Sequence, residues 1–351
     1  MKQVENLDLF TQAKNIKAST ARESIPKTCY KRSHTKTAFW YLLDMALFLF
    51  GMFLVFSNAS IGLQVLGGLI SGCATAMLFV WAHDAAHGAL FKNSKVAEFF
   101  GTMAMLPSLN MYRMWVYGHN KVHHGFTSFS PIDWIWRPLT LQEYQALSGL
   151  QKLLYRVERC FFTCAFHYFR RIWWSNMVRY NPGKDKAEQR YYRNSKMMVL
   201  TYALLMAVVS YFCAGGIIGI ISALIIPFII FNYFIAMIVY LHHTHPDLPF
   251  MDLKKDWSHA VGAIYCSTII HCSKISRLML HNIYIHIPHH LDPRIPFYNL
   301  PKAYAALKLK YGEYFHEYTF KWSVVSNIFK QCKLYDYEKK IWMTFKDAKS
   351  T

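Results

Sequence analysis

Twelve of the 17 histidines fall in four short clusters, a density at which metal binding is the first chemistry to consider. The clusters are His83-Asp84-Ala-Ala-His87, His119-Asn-Lys-Val-His123-His124, His242-His243-Thr-His245, and His286-Ile-Pro-His289-His290 with His281 just upstream. On a helix, residues i and i+4 share a face with Cβ atoms about 6 Å apart. His83 and His87 can therefore grip one metal, or one metal each of a close pair, and the adjacent pairs His123-His124 and His289-His290 fan ligands toward two sites. A catalytic zinc uses three protein ligands and a structural one four, so eight or more imidazoles are too many for one zinc. Asp84 also stands where a zinc-protease helix carries Glu. Two irons with four or five nitrogen ligands each account for the number, and imidazole suits iron.

The elements that carry these clusters are legible from charge. Met45 to Ala82 and Met197 to Leu241 contain no Asp, Glu, Lys or Arg. A helix needs about 20 residues to cross a hydrocarbon core of roughly 30 Å, so each stretch holds a hairpin of two spans. The breaks fall at Ser57-Asn-Ala-Ser60 and Ala214-Gly-Gly216, giving spans at about 38–57, 61–82, 197–214 and 217–241. His83 begins where the second span ends, and His242 where the fourth ends.

A hairpin returns the chain to its starting side, so all 39 Lys and Arg lie in segments on one face of the membrane. The positive-inside rule makes that face cytoplasmic. The net charge of +19 then reads as topology plus attraction to anionic headgroups, and no motif favours nucleic acid. With 54% apolar residues and only 17% charged, the chain is neither disordered nor an ordinary soluble enzyme. Residues 1–37 carry eight Lys/Arg and no apolar core of a secretory signal. The eight cysteines follow no framework and read as reduced packing residues. Val96–Val116, interrupted by Pro107, and Phe161–Arg179, where aromatic and basic residues alternate, suit the headgroup level.

The clusters resemble the three histidine boxes of the membrane fatty-acid desaturases, and their flanks are most similar to the omega-6 (delta-12) and omega-3 acyl-lipid group. The likeness runs from about Ala82 to Tyr304 and includes HDAAHG, GHNKVHHGFTS, YLHHTHP and HNIYIHIPHHLDPRIPFYNLP. It implies metal ligands at His83 and His87; at His119, His123 and His124; and at His286, His289 and His290. A further ligand from the end of span four falls on His243, with His245 second. Many relatives space the second box as His-x-x-His-His, whereas three residues separate His119 from His123 here, which makes His119 the less certain member. Pro288 disfavours helix at Ile287, so the third box is expected to open a helix or sit on a turn. Asp84, Asp133, Asp256, Asn282 and Asp292 are candidates to orient imidazoles through their second N–H. His34, His167, His259, His271 and His316 read as structural.

The expected fold is an all-α integral membrane protein: four transmembrane helices as two hairpins, with a cytoplasmic helical cap carrying a di-iron site. The desaturase domain is expected over 38–310, between cytoplasmic segments 1–37 and 311–351. The resemblance implies O2-dependent removal of hydrogens from adjacent methylenes of a lipid-linked acyl chain, leaving a cis double bond. The chain shows no His-Pro-Gly-Gly haem motif and no nucleotide or flavin fingerprint. A separate ferredoxin or cytochrome b5 is therefore expected to supply electrons. Two other readings stand beside this one: a di-iron hydroxylase or ketolase of acyl chains, alkanes or carotenoids, and, more remotely, a histidine-lined metal transporter.

Overall fold

Each charge-free stretch folds as two helices, broken where the polar and glycine residues interrupt it. Ser60 accepts a hydrogen bond from Leu63 N and caps the second helix. Gly215 and Gly216, at φ +82° and +70°, turn the chain between the third and fourth in a backbone region that side chains resist. In the computed structural model, which describes residues 2–349, the helices are His34–Phe56, Ile61–Ala86, Lys186–Cys213 and Ile217–His243. These four, among the described residues, are long and apolar enough to cross a bilayer, and the chain is an integral membrane protein. The third helix begins well before the apolar run because Asp185 caps it, accepting from Ala187 N and Glu188 N. A π-helical segment, Ile221–Ile225, interrupts the fourth just before Pro227, whose missing N–H and bulky ring disturb the ladder there.

Arg32–Gly118 and Ala165–Ala236 form one compact unit, which contains the first three spans and most of the fourth. The second span is its centre, 72% buried over its apolar window against 11% for the third. Small residues let it sit there. A Cβ on Gly67 would meet the Gly51 carbonyl at 2.4 Å, one on Gly68 the Ser222 carbonyl at 2.5 Å, and one on Gly72 the Ile230 Cβ at 2.7 Å. Close backbone approach of this kind replaces the hydrophobic drive that helices lack in lipid. The two turns are tied by polar side chains, Asn58 Nδ2 donating to Cys213 O and Gln64 Nε2 to Ala214 O.

Met1–Lys31, His119–Cys164 and Met237–Thr351 form the other unit, which holds most of the histidines. Phe10 and Ala13 pack with Phe129, Met251, Val261, Tyr265 and Cys266 in one apolar cluster. Arg22 donates to Leu291 O at 2.8 Å, so the N-terminal segment braces the helix His286–Leu291. The chain is mostly helical, as expected, but this unit adds short strands that an apolar run of four residues does not announce. β1 (Thr268–His271) pairs in parallel with β2 (His316–Thr319), and β3 (Leu334–Asp336) antiparallel with β4 (Ile341–Met343). A bridge from Ile269 to Ile285 sets the residue before His286 against β1. The eight cysteines are all free.

Candidate metal centre

The first histidine cluster joins side chains from three separate elements. His123 ends a π-helical stretch, Tyr117–His123; His243 is the last residue of the fourth span; His286 and His290 lie one turn apart on His286–Leu291. Pro288 is the third residue of that helix, where it forfeits no internal hydrogen bond, so the third box opens a helix. All four histidines are buried. Their Nε2 atoms converge: His123 to His243 at 3.2 Å, His243 to His286 at 3.1 Å, and His286 to His290 at 2.9 Å.

Their outer nitrogens decide what those contacts are. His123 Nδ1 lies 3.1 Å from Asp133 Oδ2, and His243 Nδ1 lies 3.1 Å from Cys266 O. A carboxylate and a carbonyl only accept, so both Nδ1 atoms carry the proton. Thr127 Oγ1 spends its hydrogen on His123 O at 2.8 Å and therefore accepts from His290 Nδ1 at 3.0 Å. Three imidazoles thus present bare Nε2 lone pairs to one point. With both rings neutral, the His123 and His243 lone pairs, 3.2 Å apart, cannot hydrogen bond to each other and are placed to share a cation. Donor atoms about 3 Å apart are near enough to share one metal at the roughly 2.1 Å of a metal–imidazole bond. Asp133 is itself held by Ser128 N and Ile135 N at 3.0 and 3.1 Å. Burial, reinforced by the neighbouring imidazoles, pushes the pKa values of His286 and His290 well below the ordinary histidine value, so both stay neutral as ligation requires.

The second cluster contains His119, His124 and His289. His124 Nε2 lies 3.0 Å from His119 Nε2 and 3.1 Å from His289 Nε2. The π-helical stretch resolves the unusual spacing of the second box. Its wider turn carries the extra residue and returns His119 to the same face as His124, five positions on. The rings of His124 and His290 stack at 4.1 Å, so the two clusters are neighbours.

His83 and His87 close the second span, their ring centroids 4.8 Å apart. His83 Nδ1 donates to Asp84 at 3.0 Å, which leaves its Nε2 without a proton. His245 stands outside the four-histidine cluster, paired with Asp247 and stacked on Tyr318. His242 stacks on the His286 ring at 3.6 Å. The remaining orienting candidates have other occupations. Asp256 gives its two oxygens to Lys14 and Lys340, Asp292 is gripped by Arg294 and Tyr30, and Asn282 donates to Phe297 O. Their acidic or amide character suggested imidazole partners, but nearby cations and a carbonyl engage them first. Sequence reading missed Thr127 and the Cys266 carbonyl. The only trace of Thr127 is its place four residues after His123, where a hydroxyl reaches back to the i−4 carbonyl.

The chain matches the fatty acid desaturase family over residues 59–322, a stretch that contains every histidine of both clusters. The protein is a membrane fatty acid desaturase. Among its relatives is a 12-desaturase of Picosynechococcus, named for sn-1 oleoyl-lipid, 27% identical over 342 residues that cover 94% of this chain and 93% of that protein. Chloroplastic omega-6 fatty acid desaturases of soybean (Glycine max) and spinach (Spinacia oleracea) are 28% and 29% identical, over 90% and 89% of this chain and 73% and 68% of theirs. The desaturase thus aligns over nearly all of its own length, and of the Picosynechococcus enzyme's, and its two buried histidine clusters form a di-metal site.

Proposed function

We propose that this desaturase holds two iron ions and introduces a cis double bond into a lipid-linked acyl chain at the delta-12 (omega-6) position. His123, His243, His286 and His290 would hold one iron. His119, His124 and His289 would hold the other, and the family resemblance implies His83 and His87 of the first box as further iron ligands. The observation that carries the metal reading is the meeting of three imidazoles whose outer nitrogens are all committed as donors. An unactivated C–H bond offers no handle to acid–base or nucleophilic chemistry, and iron, when bound, supplies the O2-dependent oxidation it requires. The chain's own residues keep His286 and His290 neutral, fix tautomers through Asp133, Thr127 and Asp84, and bury the nitrogens of the four-histidine cluster away from water. Delta-12 chemistry on a lipid-linked chain is supported by the name of the Picosynechococcus relative, and an omega-6 position by the names of the soybean and spinach relatives.

Electrons would come from a separate ferredoxin or cytochrome b5. The concentration of cations outside the two charge-free hairpins supports a cytoplasmic site and cytoplasmic termini, in a bacterial inner membrane or endoplasmic reticulum. The test is expression in a host whose lipids contain monounsaturated but no polyunsaturated chains, followed by mass analysis and double-bond location. Loss of two hydrogens, with the new bond at the delta-12 position, is expected. Gain of one oxygen would make the enzyme a hydroxylase, and a new bond elsewhere would overturn the regiochemistry. His289→Ala and His124→Ala should each abolish product while the protein stays in the membrane.

A further inference from the structure

The segment Met251–Trp257 lies beside the buried histidines and reaches the surface. Trp257, half-buried, donates from Nε1 to the backbone carbonyl of Thr127 at 2.9 Å. The same residue's hydroxyl accepts from His290 Nδ1 at 3.0 Å. From indole to cluster the route is therefore one hydrogen bond, the Thr127 backbone and side chain, and a second hydrogen bond to a ring that faces the site. The fold is cut to permit it. A Cβ on Gly262 would come within 2.8 Å of the Thr127 carbonyl and 3.3 Å of the Trp257 indole nitrogen, so any side chain there would crowd this junction.

The outer end of the route is basic with an apolar spot. Lys254 Nζ sits 3.9 Å from the Trp257 ring centroid, Lys255 is exposed, and Lys14 and Lys340 converge on Asp256 at 3.0 and 3.1 Å. Leu253, 48% exposed, stands next to the lysines. The four lysines outnumber the two carboxylates of the segment, Asp252 and Asp256. A small surface with a ring of cations around an apolar contact fits a transient encounter with an acidic carrier protein, steered by charge.

We propose that this surface docks the electron donor, an acidic one-electron carrier protein, and that electrons enter through Trp257, Thr127 and His290. The inference rests on the desaturase reading above. Forming one double bond takes two hydrogens from the substrate, two electrons from two reduced carriers and two protons from solvent, and reduces one O2 to two waters. Each carrier is oxidised by one electron per encounter.

The test uses iron-loaded full-length protein in lipid nanodiscs, reduced either by dithionite with a small mediator or by a photoreduced plant-type ferredoxin or the soluble domain of cytochrome b5. Trp257→Phe keeps an aromatic ring but removes the indole N–H. It should slow carrier-driven turnover several-fold, while iron content and product from a dithionite-driven single turnover match wild type. Lys254→Glu/Lys255→Glu should raise the carrier concentration needed for half-maximal rate about tenfold or more and flatten the fall of rate with ionic strength. Unchanged carrier kinetics in both variants would overturn the proposal. So would a wild-type enzyme that turns over with dithionite but with neither acidic carrier. Failure of wild type to form product under dithionite would instead strike the desaturase reading itself.

Discussion

Thr127→Val is the most direct perturbation of the four-histidine cluster, because it preserves the shape of a buried side chain and removes one oxygen. That oxygen accepts from His290 Nδ1 at 3.0 Å and donates to His123 O at 2.8 Å. Without it, the His290 Nδ1–H that keeps Nε2 bare has no acceptor in a fully buried position. An unsatisfied buried donor costs about 1–3 kcal/mol. The ring can avoid that cost only by moving its proton to Nε2, which blocks ligation, or by rotating away. Either escape is charged to metal binding, and 1–3 kcal/mol corresponds to roughly five- to 150-fold weaker retention, the range typical when an outer partner of a metal-bound histidine is lost. The assay is chelator titration of iron-loaded protein with iron counted by mass spectrometry. Thr127→Ser restores the hydroxyl and should recover most of the loss. Wild-type retention in Thr127→Val would refute the tautomer argument on which the metal reading stands.

Asp133→Asn should act more severely. An amide can turn its NH2 toward His123 Nδ1 and favour the wrong tautomer, so about one of the two irons should be lost, read as metal per chain, while Asp133→Ala leaves the tautomer free and loses less. Iron retention should persist below pH 6.5, where an exposed imidazole would already compete for protons at its pKa of about 6.5. Burial and neighbouring rings hold His286 and His290 well below that value, so a loss curve centred on 6.5 would contradict the structure. The same depression means that His286 and His290 cost metal-free protein stability as pH falls below about 6.5, and none above it, since the unfolded chain binds protons that the folded chain refuses. Thermal melts of chelated protein across that range would show it. Gly67→Val forces a branched side chain against the Gly51 carbonyl, 2.4 Å from where its Cβ must sit, and should cost about 1–3 kcal/mol, seen as a lower melting temperature in detergent. A neutral effect there would mean that the first two spans separate readily.

The hairpins and the histidine boxes were legible because each depends on a local property. Two stretches without charge can only be spans, and Ser60 and Gly215-Gly216 mark their own turns. What escaped reading was set by contacts between distant segments. The spacing of His119 from His123 looked like a departure from a three-residue pattern. The answer lies in a π-helical turn that no residue between Tyr117 and His123 signals, and which alone brings His119 Nε2 to 3.0 Å from that of His124. Asp256 and Asp133 were equal candidates to orient an imidazole. Asp256 is claimed by Lys14 and Lys340, from segments far along the chain, whereas Asp133 folds back on His123 through a turn pinned by Ser128 N and Ile135 N. The Cys266 carbonyl has no side-chain signature at all, yet it sets the proton of His243 from the same 3.1 Å at which a carboxylate sets that of His123. A histidine motif therefore names the ligands of a metal site but leaves open which nitrogen each one offers. That choice belongs to the carboxylate, carbonyl and hydroxyl placed by the fold around His123, His243 and His290, and it separates three buried imidazoles that could hydrogen bond among themselves from three that turn bare lone pairs to one point.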